Sequence, residues 1–215
     1  MLLSQTNFEK GVQLLASGKT ELARIAFESV IKENPSNSKS LEYLGDIAGQ
    51  NKNWDKAILY YKKLKIIQPN NADYQYKYGG ALGMKAKTVN KFKALGMIDE
   101  IKSSFEKAAA LDPKHTESRW ALVMLYLELP GIIGGSETKA TAYSNELMRL
   151  SPLDGYLSKG YIDEYFGRNK KAELNYTKAL ELTNSKVAFQ KLYNLYLNRM
   201  KNSDKAQQLK EQFEK

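Results

Sequence analysis

Landmark residues return every 34 positions along this chain. Gly11, Gly45 and Gly79 stand 34 apart, as do Ala23 and Ala57, Phe27 and Tyr61, and Pro35 and Pro69. A fixed period of that size marks a small supersecondary unit that cannot bury its apolar face alone and stacks on copies of itself. Each unit packs only on its neighbours, so the chain needs no single closed core. Such an array presents a surface rather than a reaction centre.

Residues 38–71 spell out the unit most clearly. Leu41, Leu44, Gly45 and Ala48 fall on one face at helical spacing, and Asn51-Lys52-Asn53 breaks the pattern. Ala57, Tyr61 and Leu64 then form a second helical face, which Pro69 ends. Two amphipathic helices joined by a tight turn fit this pattern, and the small Gly45 and Ala57 let them approach closely. Leu41, Leu44, Gly45, Ala57, Tyr61 and Pro69 also stand at the offsets of the tetratricopeptide repeat (TPR), which the unit resembles. The resemblance implies an all-α fold, an alpha-alpha superhelix or TPR solenoid. About six helix-turn-helix repeats and roughly twelve helices would make it up.

Followed along the chain, the phase predicts a single array over 1–215, with approximate repeats 4–37, 38–71, 72–113, 114–153, 154–185 and 186–215. The first carries Gly11, Leu14, Ala23, Phe27 and Pro35. The third opens with Tyr78, Gly79 and Leu82 but closes late, on Phe105, Ala108 and Pro113. Pro69 and Pro113 are 44 apart, so ten residues are inserted near Lys85–Gly96, read as a lengthened first helix plus a loop. Five extra residues in the fourth repeat fall within Leu129–Gly135. Gly160, Gly167, Ala172, Tyr176 and Ala179 mark the fifth repeat, and Tyr193, Leu197, Ala206 and Phe213 the sixth.

Composition removes several function classes. With no cysteine, disulfides, thiolate catalysis and Cys-based metal sites are excluded together. The net charge of +9 is almost all lysine, and only Arg24, Arg119, Arg149, Arg168 and Arg199 supply the planar fork that phosphate recognition favours. The lysine excess reads as a solvated surface. No stretch approaches the roughly 20 apolar residues that span a bilayer. Met1-Leu2-Leu3-Ser4-Gln5 reads either as the tail of a signal region or as a plain cytoplasmic start.

Candidate chemistry is sparse. His115, the only histidine, lies in the turn Asp112-Pro113-Lys114-His115-Thr116 and is expected to be solvated, with no partner for a zinc site. Pro130-Gly131-Ile132-Ile133-Gly134-Gly135-Ser136 offers two readings. Its glycines could expose N–H groups to an anion before a helix. Alternatively it is a bent loop with Ser136 as N-cap and Glu137 in the first turn. A Walker loop needs Lys before the Ser, and Gly135 stands there. This loop looks like the PGI-GGS segment of a subset of bacterial TPR proteins, many of them exported, which leans the reading toward a periplasmic chain. Carboxylate pairs such as Asp99-Glu100 and Asp163-Glu164 have no cleft around them. Neither enzymatic activity nor a cofactor nor a metal is expected.

In the family, the first helix of each repeat lines a concave groove through its second, fifth, sixth, ninth, twelfth and thirteenth positions. Carried over, these give Phe8, Val12, Tyr43, Tyr76, Met84, Trp120, Met124, Leu127, Leu157, Tyr161, Tyr165, Leu192 and Leu195 as inward apolar residues. The same positions hold eight acids, Glu9, Glu42, Asp46, Asp73, Glu117, Glu128, Asp154 and Glu164, against four bases, Lys39, Lys77, Lys191 and Arg199. The resemblance therefore implies a groove of net charge 4 − 8 = −4, set against lysines on the second helices.

The expectation is a non-enzymatic scaffold that binds a neutral-to-basic peptide or protein. Its binding residues would be Phe8, Glu9, Tyr43, Asp46, Tyr76, Lys77, Trp120, Met124, Tyr161, Glu164 and Tyr165. An acidic groove disfavours nucleic acid there. The alternative is an outer lysine face that binds nucleic acid or anionic membrane. Some relatives clamp chaperone C-terminal tails with Lys, Asn and Arg. The matching positions here read Phe8, Val12, Tyr43, Asp73 and Lys77, so no such tail is expected.

Overall fold

The computed structural model describes residues 6–214, and every regular element among them is helical. The segment 1–5, weighed above as a signal remnant, lies outside the described residues. The chain divides into two compact units, one running to Pro113 and one starting at Lys114.

In the first unit, α1 (Asn7–Ala16) pairs with α2 (Thr20–Glu33), and α3 (Ser38–Gln50) pairs with α4 (Trp54–Ile67). A third hairpin joins α5 (Ala72–Ala86) to α7 (Ile98–Leu111), with the short α6 (Lys91–Leu95) between them. In the second unit the hairpins are α8 (Thr116–Glu128) with α9 (Glu137–Leu150), and α10 (Pro152–Tyr165) with α11 (Asn169–Thr183). The last hairpin sets α12 (Lys186–Asn194) against α13 (Ser203–Phe213).

Short polar side chains start these helices by accepting from orphan backbone N–H groups. Thr6 and Glu9 form a reciprocal capping box on α1, and Asn37, Asn53 and Asn71 cap α3, α4 and α5. The turn inside each regular hairpin contains one left-handed residue. Gly18 (φ 73°) and Lys52 (φ 55°) hold that place in the first unit, Gly167 (φ 71°) and Lys201 (φ 54°) in the second.

The period has a steric cause. Phe27 and Tyr61 lie flat across Gly11 and Gly45 of the partner helix. A Cβ at Gly11 would come within 2.7 Å of the Phe27 ring, and one at Gly45 would overlap the Tyr61 ring. Gly160 stands in the same relation to Tyr176. Ala23, Ala57 and Ala172 are fully buried one helical turn before those aromatics.

Three expectations need correction. The insertion lengthens the first helix only slightly, and a short added helix takes the place of a plain loop. At 15 residues α5 exceeds the 13 of α3 by only two, and the rest folds into α6, capped by Asn90. His115 is not solvated: it is 6% exposed, and its Nδ1 accepts from Ser118 N at 3.0 Å as the N-cap of α8. Its carbonyl accepts from the buried Arg119, whose Nε donates to Glu146 on α9 at 2.8 Å. This bonding to α9 draws the start of α8 inward, which the local sequence does not reveal. Finally, the chain after α12 makes a π-helical turn, Leu195–Arg199, whose extra residue shifts the helical phase.

Candidate functional site

Within the first unit, α1, α3 and α5 bring Phe8, Tyr43 and Lys77 onto one face. The Phe8 and Tyr43 rings lie 6.2 Å apart, and Tyr43 stacks on the buried Phe27 at 4.7 Å. Tyr76 rests 5.9 Å from Phe105 beneath it. All three aromatics of the face are half-buried, each on an aromatic floor from a second helix, so little rotamer freedom remains in them.

The charges of this face are paired with one another. Lys77 Nζ lies 2.8 Å from Asp46 Oδ1 and 2.9 Å from Glu42 Oε1. Tyr61 donates to Asp46 at 2.6 Å, and Lys39 reaches Glu42 at 3.2 Å. Burial pushes the Glu42 carboxyl up, but the hydrogen bond and charge of Lys77, with those of Lys39, outweigh it and hold the group below the usual carboxylate range. Burial likewise works against the Lys77 charge, and Asp46 and Glu42 outweigh it, so that this ammonium is raised. Glu9 is exposed, apart from its capping bond to Thr6 N.

In the second unit, α8, α10 and α12 carry the corresponding residues. Trp120 donates its indole N–H to Asp154 at 2.8 Å. Tyr161 lies under Lys191, whose Nζ is 4.9 Å from the ring centroid, and burial raises its hydroxyl. Glu164 accepts from Tyr176 at 2.9 Å and meets Arg199 at 3.5 Å. Met124 and Tyr165 are exposed, the latter edge-on to Phe166. Four residues placed on the groove by helical phase are core instead. Leu127, Leu157, Leu192 and Leu195 are all buried, the last two on one helical face with Ala188.

Phase alone also missed Tyr61 and Tyr176, which hold acids of these faces from behind. Burial, followed by the Asp46 or Glu164 partner, raises both hydroxyls strongly.

Four of the six N–H groups from Gly131 to Ser136 are already taken within the chain. Ile133 and Gly135 donate to Pro130 O at 3.0 Å, Gly134 to Gly131 O, and Ser136 to Tyr126 O at 2.8 Å. Ser136 caps α9 and Glu137 stands in its first turn, as the bent-loop reading expected. The lysines assigned to second helices lie there: Lys32 on α2, Lys62 and Lys63 on α4, Lys107 on α7 and Lys178 on α11. Among the described residues no helix is long and apolar enough to cross a membrane, and no group of acids and histidine is placed to hold a metal ion.

The tetratricopeptide-repeat family model matches residues 8–72, which span the first two hairpins. The chain has the tetratricopeptide-repeat fold. The thermophilic TPR protein TTC0263 of Thermus thermophilus superposes with a TM-score of 0.70 at 20% identity, over 89% of this chain and 97% of that one. YrrB, described as a TPR protein with an unusual peptide-binding site, superposes at 0.60 with 16% identity, over 85% of this chain and 87% of its own. In sequence, the chain is 23% identical over 87% of its length to the human Protein O-mannosyl-transferase TMTC3. It spans a fifth or less of the length of the curated relatives it matches.

Proposed function

We propose that this TPR chain is a non-enzymatic scaffold that binds a peptide segment or partner protein on its first-helix faces. Phe8, Glu9, Tyr43, Asp46, Tyr76 and Lys77 would bind on the first unit, and Trp120, Met124, Tyr161, Glu164 and Tyr165 on the second. The observation that carries the reading is the set of half-buried aromatics on α1, α3 and α5, each seated on a buried ring. Such anchors give contact area at low entropic cost. YrrB, with the same fold, is described by its peptide-binding site.

Because Glu42 and Asp46 are paired internally with Lys77, most of the affinity would come from the rings. Charge would then choose among partners, favouring neutral to basic segments over acidic ones. An acidic chaperone tail finds only Lys77 of the clamp positions, and that ammonium is already held by two carboxylates.

The test is capture of partners from lysate, identified by mass spectrometry, with Tyr43, Tyr76 and Trp120 replaced by Ala. Capture should be lost while circular dichroism keeps its helical signal; unchanged capture would refute the assignment. Calorimetry with a peptide ending in Glu-Glu-Val-Asp should show no micromolar binding.

A further inference from the structure

The insertion in the third repeat is unused by the faces described above, and its composition is one-sided. No Asp or Glu occurs between Asp73 and Asp99, while Lys85, Lys87, Lys91 and Lys93 all lie within that stretch. Lys85 turns back to Asp55, 2.7 Å away. Lys91 and Lys93 are exposed on α6, one on either side of Phe92. Phe92 is 89% exposed, and Leu95, one helical turn on, is 49% exposed. Single exposed apolar residues are ordinary on protein surfaces. Here, however, a phenylalanine and a leucine share the side of a capped helical turn and are bracketed by ammonium groups.

We propose that α6 docks on an anionic lipid surface. Phe92 and Leu95 would enter the headgroup–acyl boundary, and Lys91 and Lys93 would meet lipid phosphates. Interfacial elements pair Phe and Leu with lysines in this way, each lysine adding roughly fivefold to partition onto an anionic leaflet. The residue types favour lipid over nucleic acid or an acidic peptide. Sites that read base edges or carboxylates recruit the arginine fork, and no arginine lies between Arg24 and Arg119, whereas the diffuse potential of an anionic leaflet needs only point charges. The inference does not depend on the peptide-binding reading, because it uses different residues.

The test is co-sedimentation of the full chain with phosphatidylcholine vesicles, with and without phosphatidylglycerol, at low and high salt. Binding should require phosphatidylglycerol and weaken as salt rises. Phe92→Ala combined with Leu95→Ala should weaken it about tenfold, and Lys91→Glu combined with Lys93→Glu at least as much. These side chains are exposed, so circular dichroism of both variants should match the parent. Absence of binding to anionic vesicles overturns the proposal. So does binding that survives Phe92→Ala with Leu95→Ala. Equal retention of parent and that apolar variant on heparin or single-stranded DNA, with no vesicle binding, would mark a general polyanion surface instead.

Discussion

Lys77 on α5 reaches back to Asp46 on α3, its Nζ 2.8 Å from one carboxylate oxygen and 3.0 Å from the other. With Glu42 it ties two consecutive repeats through half-buried charge. Lys77→Met should cost about 2 kcal/mol, because two carboxylates lose the partner that offsets their burial. Adding Glu42→Gln and Asp46→Asn should recover much of that loss. Urea midpoints for the single and triple variants check this.

The same cluster sets a pH window. The Glu42 carboxyl is depressed in the folded state, so its contribution is present above the ordinary glutamate value, about 4.3, and is lost as pH falls through the folded value. Lys77 is raised, so its contribution is present below the ordinary lysine value, about 10.4, and is lost as pH rises through the folded value. Stability followed by urea midpoint should therefore plateau between these limits and fall outside them. Lys77→Met should flatten the acid limb.

Gly45 beneath Tyr61 gives a paired prediction. Gly45→Ala should cost about 1–3 kcal/mol, because the new methyl has no room against a fully packed ring. Gly80→Ala, within α5, meets nothing within 4 Å and should gain about 1 kcal/mol from helix propensity. Thermal or urea unfolding of the two variants should therefore shift in opposite directions.

Lys52 occupies the left-handed place that Gly18 and Gly167 hold in other repeats. Lys52→Gly should relieve that conformation and stabilise by about 0.5–1 kcal/mol. Asn51→Gly, one residue earlier at φ −81°, should bring no gain. Differential scanning calorimetry of both variants distinguishes a conformational effect from a general one.

His115 caps α8 from a buried position. Its replacement by Ala should cost about 1–2 kcal/mol, whereas Asn, which can accept from Ser118 N, should keep most of the stability. Hydrogen exchange at the first turn of α8 reads the cap directly.

What the sequence made legible was local or periodic. Gly45, Ala57 and Tyr61 recur because one ring must lie on one glycine in each hairpin, so spacing alone reveals them. Ser136 was readable as a cap because N-cap chemistry is short-range. The burial of His115 depends on Arg119 and Glu146, the latter on a different helix, and no local pattern carries that. Leu195 was misplaced because the groove positions carried over from the family do not fit the last hairpin, where Ala188, Leu192 and Leu195 share one buried helical face. Glu42, Asp46 and Lys77 entered the groove count as separate charges, and a charge sum cannot show that they satisfy one another.

Gly79 keeps its place against Phe105, a Cβ there falling 3.0 Å from the ring, although α6 and its turns come between the helices that carry them. The hairpin closes on that contact whatever its tip contains. The tip is thus mechanically decoupled from the stack, and an epitope or fluorophore spliced in place of α6 should be displayed without disturbing the repeats on either side.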